Sequence, residues 1–267
     1  MRMRWAGFRK VRGQVRKRLA RRLTELGLPD AAAYQEYLDR HPGEWTVLDS
    51  LCRITISRFY RDRGVFDAIR TVVLPDLARR VVKDGVATVR CWCVGCASGE
   101  EPYSLGIVWK HSIEPMFGEG VRLEIVATEA NREMLERAIR GRYTRSSLKD
   151  LPGELAAGAF ERLSTGHYAI NERFKRGVHF IHQDIRDSHP AGMFHLVLCR
   201  NLVFTYFDKE LQQEVLERII GRLVPGGYLV VGIHESIPGG FPGLIPREGT
   251  PGIYRCCGGD GPKSASI

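Results

Sequence analysis

Trp92-Cys93-Val94-Gly95-Cys96-Ala97-Ser98-Gly99-Glu100-Glu101-Pro102-Tyr103-Ser104 decides how this chain is read. An apolar run from Ala87 to Cys93 leads into it, and Leu105-Gly106-Ile107-Val108-Trp109 continues from it. The pattern is that of a strand, a glycine turn and a helix. Gly95 and Gly99 let the backbone turn tightly and approach a ligand with no side chain in the way. The two carboxylates that follow are unusual there. A helix N-terminus attracts anions, so a phosphate-binding turn avoids added negative charge. A ligand with a cationic amino-acid end fits better, and S-adenosylmethionine is such a ligand. Of the two acids, Glu101 is expected to face the amino group and Glu100 to face solvent.

Outward from this turn, apolar runs alternate with helical stretches. Val86–Val94, Leu123–Thr128, Val178–Ile185, His195–Cys199 and Gly227–Gly232 read as strands, and Glu101–Lys110, Asn131–Arg140 and Lys209–Leu223 as helices. Such alternation implies an α/β domain with a parallel sheet covered on both faces. Ile253–Cys257 is expected to return antiparallel beside the last of these strands. Residues 142–177 are polar and irregular, with one strand candidate at His167–Ile170, and read as a small insertion. Sites in these sheets lie at the carboxyl ends of the strands near the switch point. That places Gly95, Gly99 and Glu101 after the first strand, Glu129 after the second, Asp184 and Ile185 after the third, and Arg200 and Asn201 after the fourth. A carboxylate ending the second strand is placed to accept from two ribose hydroxyls. Asn131 is expected to cap the helix that follows.

The net charge of +9 is local: residues 1–22 hold ten of the 40 Lys and Arg and no acid, leaving 30 basic against 31 acidic residues. Phe8, Val11, Val15, Leu19, Leu23 and Leu26 form one helical stripe, with Arg9, Lys10, Arg12, Arg16, Lys17 and Arg21 largely off it. Gly27 and Pro29 end that helix. Shorter helices are expected at Ala31–Asp39 and Glu44–Cys52, so residues 1–75 read as a small helical domain and 76–260 as the cofactor domain. Residues 261–267 read as a flexible tail. A basic patch suits an acidic protein surface, nucleic acid or an anionic membrane. No apolar run is long enough to span a bilayer, and the charged start lacks the apolar stretch of a secretory signal. A cytoplasmic protein is therefore expected. Seven cysteines at this length do not form a disulfide framework. Cys91 and Cys93 alternate on a strand and Cys96 lies in the turn. No partner pair follows at zinc spacing, so no metal is expected.

Four segments resemble the CheR family, the chemotaxis-receptor glutamate methyltransferases, in that family's order. They are Ile54-Thr55-Ile56-Ser57-Arg58-Phe59-Tyr60-Arg61-Asp62; the opening Gly-Cys-x-x-Gly-Glu-Glu-Pro-Tyr-Ser; Ala127-Thr128-Glu129 with Gly141-Arg142-Tyr143; and Cys199-Arg200-Asn201-Leu202 with Tyr206-Phe207-Asp208, Val224-Pro225-Gly226-Gly227 and Gly232 to Ser236. The resemblance covers about residues 8–257. It implies a Rossmann-like class I methyltransferase sheet, a small N-terminal all-helical domain and a small inserted β-subdomain at 144–177. It also implies that Ser57, Arg61, Glu101, Glu129, Asp184, Ile185, Arg200 and Asn201 line an S-adenosylmethionine site, joined by Gly95 and Gly99 of the turn, with S-adenosylhomocysteine as product. Arg61 and Tyr206 would align the reacting groups. The basic helix would dock acidic receptor helices, and the protein would act as a monomer.

The sequence departs from the family at several points. Ser57 stands where Thr is usual, Thr55 where Asn is frequent, and Glu129 where Asp is usual. Asn201 and Tyr206 are separated by four residues where the family has three. That longer spacing keeps another protein or a small acid open as the acceptor. A nucleic-acid binder using the basic helix and a non-catalytic cofactor sensor are the competing classes. Against the first, the chain has no Asn/Asp-Pro-Pro-aromatic motif of the kind used by methyltransferases acting on exocyclic amines. His234-Glu235 follows a buried strand, and since methylation of a carboxylate needs no base, the pair is expected to be structural.

Overall fold

The computed structural model describes residues 2–239, 241 and 243–257; the expected tail at 261–267 lies outside them. Three helices form the N-terminal unit: α1 (Arg12–Leu26), α2 (Ala31–Arg40) and α3 (Glu44–Cys52). Gly27 ends α1 in the left-handed conformation, and Asp30 caps α2 by accepting from the Ala33 amide. The stripe that predicts a helix from Phe8 is helical only from Arg12. Phe8 belongs to a single 3₁₀ turn, Trp5–Phe8, and is buried elsewhere. Arg22 donates to both oxygens of buried Glu44 at 2.9 and 2.7 Å, which also accepts from Tyr34 at 2.8 Å, so one carboxylate ties the three helices together.

A longer helical run follows: α4 (Arg63–Ala68), a π-turn (Ile69–Val73) and α5 (Leu74–Lys83). The expected division after residue 75 falls inside α5. Leu74, Leu77, Ala78 and Val81 of that helix are buried with Val89 and Cys91 of the sheet, so the run packs as part of the cofactor domain.

The main sheet contains β1 (Thr88–Val94) and β2 (Arg122–Glu129). Between them lie α6 (Glu100–Val108), a second π-turn (Trp109–Ile113) and α7 (Glu114–Phe117). After β2 come α8 (Arg132–Arg140), β3 (Arg142–Tyr143), α9 (Gly153–Ala156), β4 (Phe160–Arg162), β5 (Tyr168–Ile170), β6 (Val178–His182) and β7 (Phe194–Leu198). The chain finishes with α10 (Val203–Tyr206), α11 (Lys209–Ile220), β8 (Leu223–Val230), β9 (Leu244–Pro246) and β10 (Ile253–Cys256). The strand order is β6-β2-β1-β7-β8-β10-β9. The first five strands are parallel, and β10 runs antiparallel to β8 as expected.

The alternation of side chains divides the core in two. Val89, Cys91 and Cys93 of β1, with Leu196 and Leu198 of β7, face Phe66, Leu77 and Ile107. Trp92, Val94 and Val197 face Val215, Leu216 and Ile219 of α11. Central parallel strands are covered on both sides, which is why β1 reads as nearly continuous apolar sequence. The insertion is a three-stranded sheet, β3-β5-β4, anchored to the same core through Leu155, Ile170 and Phe174. Strand β9 and the short partners of β5 give no period-two signal of their own.

Candidate active site

The strand order reverses between β1 and β7, and the crevice above their carboxyl ends is where this topology binds ligands. A cavity of about 490 Å³ opens there. It is lined by Ser57, Arg61, Gly95, Glu101, Glu129, Asp184, Ile185, Arg200, Asn201 and Tyr206. Gly99 is the one expected site residue that does not line it. Its φ is +89°, and a Cβ there would lie 2.9 Å from Ala138 Cβ and 3.2 Å from the Tyr103 ring. The glycine is required for the close approach of α6 to α8.

Glu129 ends β2 and is 7% exposed. Its two oxygens accept from the amides of Ala97 and Asn131, each at 2.8 Å. Burial pushes its carboxyl up, and those amides oppose the shift. Asn131 caps α8 by accepting from the Met134 amide. Each Glu129 oxygen retains a second lone pair for a ligand hydroxyl.

Arg200 is nearly inaccessible, its side chain 2% exposed. It donates to Glu101 at 3.0 Å, to Asp62 at 2.8 Å and to the Arg61 carbonyl at 2.8 Å. Its guanidinium lies over the Phe66 ring at 5.3 Å. Burial raises the Glu101 carboxyl and Arg200 opposes that rise. Arg61 reaches the Ile56 carbonyl at 2.8 Å and Asn201 Oδ1 at 3.1 Å. Tyr60, Asp62 and Asn201 all adopt positive φ, a strained backbone of the kind that collects at functional sites.

Glu100 does not face solvent. It is 3% exposed, and Ser98 Oγ donates to it at 2.9 and 3.1 Å. The inserted subdomain covers this turn, with the Tyr143 hydroxyl donating to the Ser98 carbonyl at 2.8 Å. Burial consequently pushes the Glu100 carboxyl up.

The Asp184 side chain is taken up by neighbours. Arg186 bonds both of its oxygens, Arg53 donates at 3.1 Å, and the same arginines hold Asp49 of α3 at 2.7 to 2.8 Å. Burial raises the Asp184 carboxyl, but the arginines outweigh it and hold it below the usual carboxylate range. Asp184 thus ties the helical unit to the rim of the cavity.

Gln183 and Glu235 also line the cavity. Gln183 leaves Oε1 buried without a partner, while its Nε2 donates to Ser188. Glu235 accepts from the amides of Asn201 and Gly232, both at 2.7 Å, and from Thr205 Oγ1 at 2.5 Å. Its role is structural, as expected for the His234-Glu235 pair, and it fixes the loop that carries Tyr206. Gln183 escapes sequence reasoning, because no glycine or motif marks it, whereas Glu235 lies in the Gly232 to Ser236 segment.

The cavity suits S-adenosylmethionine on chemical grounds. Half-buried Glu101 and buried Glu129 offer carboxylates of the kind that an ammonium and ribose hydroxyls require, and the unpartnered Gln183 oxygen is an acceptor of the kind that an adenine amine requires. With the 3-2-1-4-5-7-6 order of its main-sheet strands, the fold defines a class I S-adenosylmethionine-dependent methyltransferase. Residues 55–249 match the SAM-binding domain of CheR methyltransferase and residues 10–49 its all-alpha domain. The chain belongs to the CheR methyltransferase family. It is 32% identical over 227 residues to chemotaxis protein methyltransferase 2 of Pseudomonas aeruginosa, covering 83% of this chain and 78% of that protein. To the chemotaxis protein methyltransferase of Escherichia coli K12 it is 31% identical over 232 residues, covering 84% and 77%. Among the described residues, no helix is long and apolar enough to cross a membrane.

Proposed function

We propose that this methyltransferase esterifies glutamate side chains on the cytoplasmic helices of chemoreceptors, acting as a cytoplasmic monomer. The observation that carries this reading is the join of a cationic acceptor side to an acidic cofactor side. Arg61 and Tyr206 line the same cavity as Glu101 and Glu129.

S-adenosylmethionine supplies an electrophilic methyl group on a sulfonium. A glutamate carboxylate is ionised at neutral pH, so the chain need not provide a base. It must orient two partners in line and strip water from the nucleophile. Glu101 orients the ammonium of the methionine moiety, and Glu129 holds the ribose. Arg61, fixed by the Ile56 carbonyl and Asn201, presents positive charge to a carboxylate. Tyr206 borders the reaction space. Burial raises its hydroxyl pKa and Arg61 opposes the rise, so it acts as a neutral hydrogen-bond donor.

The N-terminal cations divide into two groups. Arg2, Arg4, Arg12, Arg18 and Arg22 have internal partners: carboxylates, carbonyls or the Trp5 ring. Arg9, Lys10, Arg16 and Lys17 are exposed, as is Arg21, whose Nε lies 3.6 Å from Glu25, and these form the docking face for an acidic helix. Long-range steering by such a face weakens with salt.

The test is transfer of labelled methyl groups to purified chemoreceptor cytoplasmic fragments. The reading expects label that mild base releases as methanol. Label found only on other proteins, or on a small acid, would move the acceptor to the second class that the longer Asn201–Tyr206 spacing keeps open.

A further inference from the structure

Residues 2–8 lie outside both stretches matched to the CheR family, yet they are built into the wall of the cavity. Met3, Arg4, Ala6 and Gly7 line it. The segment crosses the loop that carries Tyr206. Met3 pairs antiparallel with Phe207, the Arg4 amide donates to the Tyr206 carbonyl at 2.8 Å, and the Asp208 amide donates to the Arg2 carbonyl at 3.1 Å. The Arg2 side chain reaches Glu214 at 2.9 Å.

The contacts have a specific chemical target. Helix α10 is a single turn, Val203–Tyr206, and the last carbonyls of any helix lack intrahelical donors. Here they are met by one residue. Arg4 Nη2 donates to the Phe204 carbonyl at 2.6 Å and Arg4 Nε to the Thr205 carbonyl at 2.9 Å, while its own amide takes the Tyr206 carbonyl. A cation at a helix C-terminus is also favoured by the helix dipole. Gly7 packs so closely that a Cβ would collide with the Thr205 carbonyl oxygen, and the Phe8 ring lies 5.0 Å from the Tyr206 ring. On the opposite side Thr205 Oγ1 is held by Glu235. This is the segment in which the chain has four residues rather than three between Asn201 and Tyr206.

We propose that the strap formed by residues 2–8, with Arg4 as its positioning residue, sets Tyr206 for methyl transfer and stabilises the lengthened loop. The strap acts through the backbone of Phe204–Tyr206 and leaves the cofactor contacts at Glu101 and Glu129 alone. The inference rests on the reading of Tyr206 as an acceptor-side residue.

The experiment compares the full chain with Arg4→Ala, Arg4→Lys and Tyr206→Phe, each carrying fluorotyrosine, with Tyr206→Phe assigning the Tyr206 fluorine resonance. Arg4 is exposed, so the variants are expected to fold, and a melting curve checks this. In Arg4→Ala the Tyr206 resonance should shift or broaden while that of Tyr34 in α2 stays in place. Turnover on a chemoreceptor fragment should fall about tenfold, equivalent to about 1.4 kcal/mol and a fraction of what the two charge-assisted hydrogen bonds of the Arg4 side chain contribute. The dissociation constant for S-adenosylhomocysteine should change less than twofold. Arg4→Lys, which keeps the charge but not the fork, should recover part of both effects. An unmoved Tyr206 resonance in Arg4→Ala overturns the proposal, as does a loss of cofactor affinity equal to the loss of turnover. If Tyr206→Phe turns over at the unaltered rate, the reading of Tyr206 fails, and the resonance still decides whether the strap positions the loop.

Discussion

Glu101→Gln separates the two partners that Glu101 serves. In the folded protein its carboxylate accepts from Arg200 at 3.0 Å and, by the proposed reading, receives the cofactor ammonium. Arg200 also pairs with Asp62 at 2.8 Å, so the triad around this buried guanidinium carries one positive and two negative charges. That net negative charge draws a cation in. The amide variant keeps the shape and an oxygen for Arg200, and it brings the triad to neutrality. Two unit charges about 4 Å apart attract by about 4 kcal/mol at an effective dielectric constant near 20. Desolvation cancels part of this, and hydrogen bonds to charged groups are worth about 1.5–3 kcal/mol net. A loss of about 2–3 kcal/mol corresponds to a roughly 30- to 150-fold weaker dissociation constant for S-adenosylhomocysteine. Calorimetric titration at neutral pH measures it. Methylthioadenosine, which lacks the amino-acid end, is the internal control, and its affinity should not change. An unchanged affinity for S-adenosylhomocysteine would show that Glu101 is only a counter-ion for Arg200. An equal loss for both ligands would show a collapsed pocket.

Glu129→Gln should behave differently. An amide NH₂ there faces one of the two backbone donors, Ala97 or Asn131, at a cost of about 1–3 kcal/mol. Affinity for methylthioadenosine and S-adenosylhomocysteine should fall together, and a loss confined to the latter would remove Glu129 from the ribose. The pH dependence follows from burial, which raises both Glu101 and Glu129. Ionising them costs more in the folded protein than in the unfolded chain. That penalty is absent below the usual carboxylate range and complete above the raised values. The ligand requires the ionised forms, so its affinity should fall as pH drops through the raised values, with protons released on binding in that window. Calorimetry in buffers of different ionisation heat reads the release, and proton uptake would contradict the assignment. Gly99→Ala combines a left-handed φ of +89° with a Cβ 2.9 Å from Ala138. Strain of about 1–2 kcal/mol and overpacking of about 1–3 kcal/mol together should lower the urea midpoint by the equivalent of roughly 2–5 kcal/mol. A change under about 0.5 kcal/mol would show that α6 and α8 separate freely.

The features legible in the sequence are those with local signatures. The β1 turn and the acid ending β2 announce themselves through glycine, alternation and capping chemistry. So do the Arg200-Asn201 pair, the α8 cap and the antiparallel return of β10. The rest depends on contacts distant in the chain. Glu100 is adjacent to Glu101 and chemically identical, and only the inserted subdomain arriving through Tyr143 makes it a buried residue. Asp184 looks like a free site carboxylate until Arg53 and Arg186 arrive from different segments. Phe8 fits a helical stripe by spacing, but it packs on Tyr206, which is distant in the chain. The orphan carbonyls of α10 leave no trace in sequence, because a single helical turn has no period to read.

In the proposed function, one cavity holds the cofactor on its acidic side and presents the methyl group to Arg61 and Tyr206. A crystal structure of the complex with S-adenosylhomocysteine tests it most directly. The account predicts the ammonium within hydrogen-bonding distance of Glu101, the ribose on Glu129 and the sulfur facing Arg61 and Tyr206. A ligand bound with its sulfur turned away from those two residues, or seated outside the crevice between β1 and β7, would contradict it.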